Sequence, residues 1–173
     1  MDEPVLLTGA GGRVGRAILQ GVGEKYDWRL LDRDPLTEER LPAGVDASDV
    51  VAADVTDREA VREAVGAVVH RAGDPRPEAP WESVLRNNID GAQTVFEATV
   101  ESTAERVVFA SSNHAVGAYE TDERTPEMYR TEDEYRLDGT ELPRPSNLYG
   151  VSKAAGEVLG RYYHDHDDLS VAC

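Results

Sequence analysis

Short apolar runs alternate with stretches whose apolar positions recur every three to four residues, and this alternation predicts the architecture. Pro4 to Thr8, Trp28 to Asp32, Val50 to Ala53, Ala67 to Ala72, Arg106 to Ser111 and Leu169 to Cys173 are strand-length and nearly continuous in apolar character. That is the pattern of strands covered on both faces. Between them, Gly12 to Val22 predicts a helix with Val14, Ala17, Ile18 and Gly21 on one face. Asp57 to Val65 predicts a second helix capped by Thr56 or Asp57, Trp81 to Thr103 a long third, and Asn147 to His164 a fourth. Leu36 to Ser48 reads as a loop with a short helix and Pro75 to Pro80 as a loop. Gly117 to Pro145, polar with three tyrosines, reads as irregular. Strand–helix alternation of this kind predicts an α/β fold with a doubly wound parallel sheet. Ligands of such sheets bind past the carboxyl ends of the strands.

Composition narrows the class. The 173 residues, 40% of them hydrophobic, suffice for one domain with a packed core. No run of about 18 apolar residues is present, so no membrane span is expected. Met1 to Pro4 lacks the basic start of a signal peptide. The single cysteine, Cys173, excludes an internal disulfide and a cysteine cluster, and a cytoplasmic location is the expectation. No metal site is read from the sequence. The net charge of −16, from 34 acidic and 18 basic residues, argues against a nucleic-acid partner. Only Lys25 and Lys153 are lysines. Excess acid, little lysine and few large aliphatic side chains fit a salt-rich cytoplasm, where screening relieves the self-repulsion.

The first predicted strand runs into Thr8-Gly9-Ala10-Gly11-Gly12-Arg13-Val14-Gly15. Val14 breaks the G-x-G-x-x-G pattern, but G-x-x-G-x-x-G holds at Gly9, Gly12 and Gly15. Gly9 allows a tight turn, Gly12 a close approach of phosphates to backbone amides, and Gly15 close packing of helix on strand. Placed between a strand and a helix, the turn predicts a dinucleotide diphosphate at the helix N-terminus. Asp32 closes the second strand 17 residues beyond Gly15. A carboxylate there accepts from a ribose 2′-hydroxyl and repels a 2′-phosphate, which favours NAD, although Arg33 beside it could welcome that phosphate. Asp54-Val55 after the third strand could hold the adenine, and Ala72-Gly73 after the fourth leaves room for the cofactor.

Tyr149 and Lys153 lie four apart on one face of the last predicted helix. Such a pair is usually a plain surface pair. Here it accompanies a nucleotide turn and Ser111-Ser112 at the end of the fifth strand. A phenol is a poor base near neutrality until an adjacent ammonium favours the phenolate. Tyr149 could then take a hydroxyl proton, Lys153 support it and hold the nicotinamide ribose, and Ser112 place the reacting oxygen.

Gly9/Gly12/Gly15, Asp32, Asp54-Val55, Asn88-Ile89-x-Gly91, Ser112 and Tyr149-x-x-x-Lys153 together resemble the extended short-chain dehydrogenase/reductase family, the NAD-dependent epimerase/dehydratase grouping. The resemblance implies a Rossmann-type sheet and NAD as cofactor. It implies contacts to NAD from Gly9, Gly12, Arg13, Val14, Gly15, Asp32, Arg33, Asp54, Val55, Ala72, Gly73, Asn88, Tyr149 and Lys153, with a bend in the long helix the equal alternative for Asn88. It makes Ser112, Tyr149 and Lys153 catalytic. Sugar dehydratases of the family carry Asp-Glu just after the serine, where this chain has Asn113-His114. Ser111-Ser112-Asn113-His114, then an apolar residue and Gly117, resembles uronate dehydrogenases. The stretches 73–81 and 144–150 are more similar to NAD-dependent glucose-6-phosphate dehydrogenases of halophilic archaea. The implied reaction is oxidation of the anomeric C1 hydroxyl of a sugar to a lactone, glucose 6-phosphate ahead of a uronate, with nucleotide-sugar epimerisation as a further alternative. Ser112, Asn113, His114 and Tyr149 would contact the sugar. Arg76 could receive a sugar phosphate, a solvated loop arginine being the plainer reading. The family implies a possible homodimer. It also implies a substrate lobe beyond strand six, so the chain is expected to be a truncated form whose activity alone is in doubt. Finally, the short passage 63–69 and Arg71, where an apolar residue is expected, put the fourth strand in question.

Overall fold

The computed structural model describes residues 4–37, 41, 45–64, 67–102, 104–121, 137 and 139–173. Six parallel strands, β1 (Val5–Thr8), β2 (Trp28–Asp32), β3 (Val50–Ala52), β4 (Ala67–His70), β5 (Arg106–Phe109) and β6 (Ser170–Ala172), form one sheet. Their order is β3-β2-β1-β4-β5-β6, the Rossmann-type doubly wound arrangement. The order reverses at β1, where Leu7 is registered with Leu30 on one side and Val69 on the other. The crevice of the fold therefore opens above β1 and β4.

The helices are α1 (Arg13–Val22), α2 (Arg58–Ala64), α3 (Trp81–Val84), α4 (Gly91–Val100) and α5 (Leu148–Asp167). A six-residue π segment, Leu85–Asp90, joins α3 to α4 without a break. Alternate strand residues feed opposite faces of the sheet. Leu6, Leu31 and Val68 enter a core with Phe96, Phe109 and Tyr163 under α4 and α5. Leu7, Leu30 and Trp28 pack with Leu19 of α1. Full burial of each such side chain contributes about 1.5–3 kcal/mol.

Several boundaries differ from the sequence expectation. The strand expected to reach Ala72 ends at His70, and the long helix stops at Val100. The doubt over the fourth strand is resolved by its position, because β4 is hydrogen-bonded on both sides, to β1 and β5. Arg71 lies just past the strand, so no apolar residue is required there. Residues 65 and 66 of the passage before it are outside the described set. Asp57, not Thr56, caps α2, accepting from the Ala60 amide at 3.2 Å. The expected apolar face of α1 is wrong in detail. Gly15 and Leu19 are buried, whereas Val14, Ala17 and Gly21 are exposed. The helix docks through Gly15, which brings it close to β1 and turns Val14 toward the crevice. Of the expected irregular region, Gly117–Thr121 forms a short 3-10 turn, while 122–136 and 138 lie outside the described residues, as do 38–40 and 42–44 of the earlier loop. Among the described residues no helix is long and apolar enough to cross a membrane.

Candidate functional site

The turn after β1 explains its glycines one by one. Gly9 has φ +69°, a backbone conformation that favours glycine. A Cβ on Gly15 would stand 2.5 Å from the Gly9 carbonyl oxygen and 2.6 Å from that of Ala10. Both obstacles are backbone and cannot swing aside. Gly11, which the sequence reading passed over, donates its amide to Asp32 Oδ2 at 2.8 Å. A Cβ there would meet Leu36 Cδ2 and the same carboxylate. The doubled glycine at 11 and 12 was the available signal.

Beneath the turn lies a second group that sequence reasoning missed. Thr8 Oγ1 accepts from the amides of Arg71 and Ala72, both at 3.0 Å. With its acceptor capacity used, it donates to His70 Nδ1 at 2.8 Å, which puts the imidazole proton on Nε2. Thr8 and His70 are both buried, and burial holds His70 neutral, its pKa pushed down to about 3. This pair fixes the start of the loop after β4 to the end of β1.

A cleft of about 660 Å³ runs over these loops. Gly9, Gly11, Gly12 and Arg13 form its floor, Asp32, Arg33 and Leu36 one end, Asp54 and Val55 a wall, and Ala72 and Gly73 the far side. Asp32 also accepts from the Asp34 amide at 3.2 Å. Asp54 accepts from the Thr56 amide and hydroxyl and meets Arg86 at 3.3 Å, and these bonds hold its carboxyl below the usual range. A smaller lobe of about 160 Å³ adjoins it, lined by Val14, Arg71, Ser111, Tyr149 and Lys153 among others. The bare backbone floor, the carboxylate at one end and the apolar Val55 and Leu36 suit a dinucleotide, and the size is that of ordinary cofactor clefts.

Tyr149 and Lys153 do share one face of α5. Lys153 is 6% exposed, and its Nζ donates to the Ala110 carbonyl at 2.7 Å while lying 5.6 Å from the Tyr149 ring centre. Burial, helped by Arg71, pushes its pKa down from 10.5 to about 8. The unfolded chain holds that proton up to 10.5, so the full penalty, about 3 kcal/mol, applies below pH 8 and fades between pH 8 and 10.5. Lys153→Met should therefore gain stability relative to the wild type at pH 7 and lose that advantage by pH 10.5. Urea midpoints at the two pH values measure this, and a difference independent of pH contradicts it.

The two serines after β5 part company. Ser111 is hydrogen-bonded to Glu157 of α5. Ser112 opens a 3-10 turn, Asn113–Ala115, and its Oγ accepts from the His114 amide at 3.3 Å. His114 stands edge-on to Tyr149, with ring centres 5.9 Å apart. Its Nδ1 is 3.0 Å from Ser146 Oγ and 3.2 Å from Asn147 Nδ2. Asn147 in turn caps α5, its Oδ1 accepting from the Gly150 amide at 2.8 Å. One polar chain thus joins the serine turn to the start of the tyrosine helix.

Asn88, expected as a cofactor contact or as a helix-bend residue, is held by the protein's own groups at a π segment of the helix. It sits on the π segment, 4% exposed, outside the lining of both lobes. Its Oδ1 accepts from the Asp74 amide at 2.6 Å, and its Nδ2 donates to the Asp74 carbonyl at 3.1 Å and to Ser152 Oγ at 3.0 Å. It ties the Gly73-Asp74 turn to α5. Arg76 forks onto Asp74 at 2.9 and 2.6 Å, so its guanidinium is already engaged. Among the described residues no group of three or more His, Cys, Asp or Glu could hold a metal ion.

Residues 5–173 match the NAD dependent epimerase/dehydratase family. The chain is 71% identical over 174 residues to an NAD-dependent glucose-6-phosphate dehydrogenase of Haloferax volcanii, covering 99% of this chain and 66% of that protein. It is 35% identical over 167 residues to a uronate dehydrogenase of Pseudomonas putida, covering 93% of this chain and 55% of the relative. The uronate dehydrogenase of Agrobacterium tumefaciens, solved as a point mutant complexed with NAD, superposes with a TM-score of 0.79 at 33% identity, over 99% of this chain and 59% of that one. The chain thus spans slightly under two thirds of the length of the first relative, and less of the other two.

Proposed function

From the chain's membership of the NAD dependent epimerase/dehydratase family, we propose that it carries the NAD-binding and catalytic part of a dehydrogenase that oxidises C1 of glucose 6-phosphate to the lactone. The observation that carries this reading is the Tyr149–Lys153 face in the small lobe, next to the glycine-floored cleft and beside the Ser112–His114 turn. Identity of 71% to a glucose-6-phosphate dehydrogenase supports the phosphate over the uronate.

In this reading Asp32, Arg33, Asp54 and Val55 would hold the adenosine half of NAD, and Gly9, Gly12 and the start of α1 at Arg13, Val14 and Gly15 would hold its diphosphate. Asp32 accepts from the ribose hydroxyls and disfavours a 2′-phosphate. Ala72 and Gly73 give the chain of the cofactor room. NAD bound this way supplies the hydride acceptor. Ser112 holds the C1 hydroxyl oxygen, and Asn113 and His114 contact neighbouring hydroxyls. Tyr149 takes the C1 hydroxyl proton as the hydride leaves that carbon. The Lys153 ammonium beside the ring stabilises the phenolate that accepts the proton. Asn88 is a positioning residue rather than a cofactor contact. The bidentate bond between Arg76 and Asp74 weighs against Arg76 as the sugar-phosphate ligand.

The test follows NADH absorbance in molar KCl with NAD and either glucose 6-phosphate or glucuronate. Turnover of glucose 6-phosphate is expected. Turnover of glucuronate alone transfers the activity to a uronate dehydrogenase, and bound NAD without net NADH favours the epimerase. Leu85, Val151 and Tyr162, 37–52% exposed on the π segment and α5, also suit a homodimer through these helices. Sedimentation at micromolar chain should then show twice the monomer mass, and monomer alone contradicts it.

A further inference from the structure

Arg71 entered the sequence reading only as a misfit in an apolar strand, and the structure gives it a place. We propose that the Arg71 guanidinium, lying over the glycine turn, grips the diphosphate of the dinucleotide. The proposal rests on the NAD-binding reading above. The backbone of Arg71 is fixed where β4 ends, its amide bonded to Thr8 Oγ1 at 3.0 Å. From there the side chain reaches back over the turn. Its Nη1 lies 2.5 Å, and its Nη2 3.3 Å, from where a Cβ on Gly12 would stand. Arg71 lines both the large cleft and the small lobe. A dinucleotide that spans both must pass its diphosphate across that boundary.

Charge points the same way. Of the carboxylates lining the cleft, three have other partners: Asp32 the amides of Gly11 and Asp34, Asp54 Thr56 and Arg86, Asp74 Arg76 and Ser83. Arg71 forms no ion pair with any described residue. A guanidinium held at a bare glycine floor, next to the N-terminus of a ten-residue helix, matches a diphosphate in charge and in the fork geometry that binds two oxygens at once. A neutral nucleoside offers it nothing.

Calorimetric titration of the chain with NAD, ADP and adenosine, at one fixed KCl concentration, tests this. Arg71→Leu is expected to weaken ADP and NAD about tenfold and to leave adenosine unchanged, since a hydrogen-bonded charge pair is lost only where phosphate is present. Unchanged adenosine affinity also reports that the variant is folded. Arg71→Lys, which keeps the charge but not the fork, should bind ADP with intermediate affinity, and it decides the matter if the leucine variant fails to fold. ADP binding equal to wild type in these variants overturns the proposal. Tighter ADP binding overturns it too and makes Arg71 an obstruction. Failure of the wild type to bind either NAD or ADP removes the NAD reading itself, a result distinct from a wild type that binds and a variant that binds equally.

Discussion

Tyr149→Phe should lower kcat by about 10³-fold while NAD affinity stays within about threefold of wild type, because a general base contributes typically 10²–10⁴ and the ring itself is retained. Only the phenolic oxygen is lost. The ring keeps its place edge-on to His114 and under the Lys153 ammonium. A KM close to wild type with a collapsed kcat would mark an interaction made in the transition state. Steady-state kinetics combined with NAD titration reads both quantities. Retention of more than a tenth of the wild-type kcat would remove Tyr149 from the role of base.

Gly150→Ala should be nearly as damaging, although residue 150 touches no substrate in the proposed reading. A methyl group there would be driven into the carbonyl oxygen of His114. That oxygen is backbone, and it also accepts from the Ser146 amide at 3.1 Å, so the serine turn cannot yield without breaking the link to α5. The turn carrying Ser112 and the helix carrying Tyr149 must then separate. Misplacement of reacting groups by about 1 Å costs about 10²-fold. The expected result is a kcat reduced by about that factor, with ADP binding unchanged, because the glycine cleft lies on other loops. Wild-type turnover by this variant would mean that the close contact between the two elements does not set the catalytic geometry.

These two positions illustrate how much the sequence reveals. The strands, their parallel arrangement and the crevice were legible from continuous apolar runs, but the two-sided burial those runs predict holds for β1 and not for β5, where Val108 is 50% exposed between buried Val107 and Phe109. The Tyr149–Lys153 face was legible because four residues along a helix return to the same side. The glycine turn was legible because its chemistry is local. What stayed hidden depends on partners remote in sequence. Lys153 finds the Ala110 carbonyl 43 residues away, and Asn88 finds Ser152 64 residues away. A helix bend at Asn88 was an open reading, but the run Asn87-Asn88-Ile89 does not say that the bend, a π segment, turns that amide toward α5. The buried face of α1 was misread for a related reason: hydrophobic counting favours Val14 and Ala17, whereas docking is decided by Gly15, the residue with no side chain to obstruct it. Gly11 was overlooked because its role is an amide bond to Asp32 rather than a place in the glycine spacing.

Hydride transfer from C1 of a sugar beside Tyr149 is tested most directly with glucose 6-phosphate bearing deuterium at C1. After incubation with NAD in molar KCl, mass spectrometry should find the deuterium on the reduced nicotinamide, together with the lactone or its hydrolysis product. Reduced cofactor without deuterium, or deuterium that stays entirely on the sugar, would contradict the account.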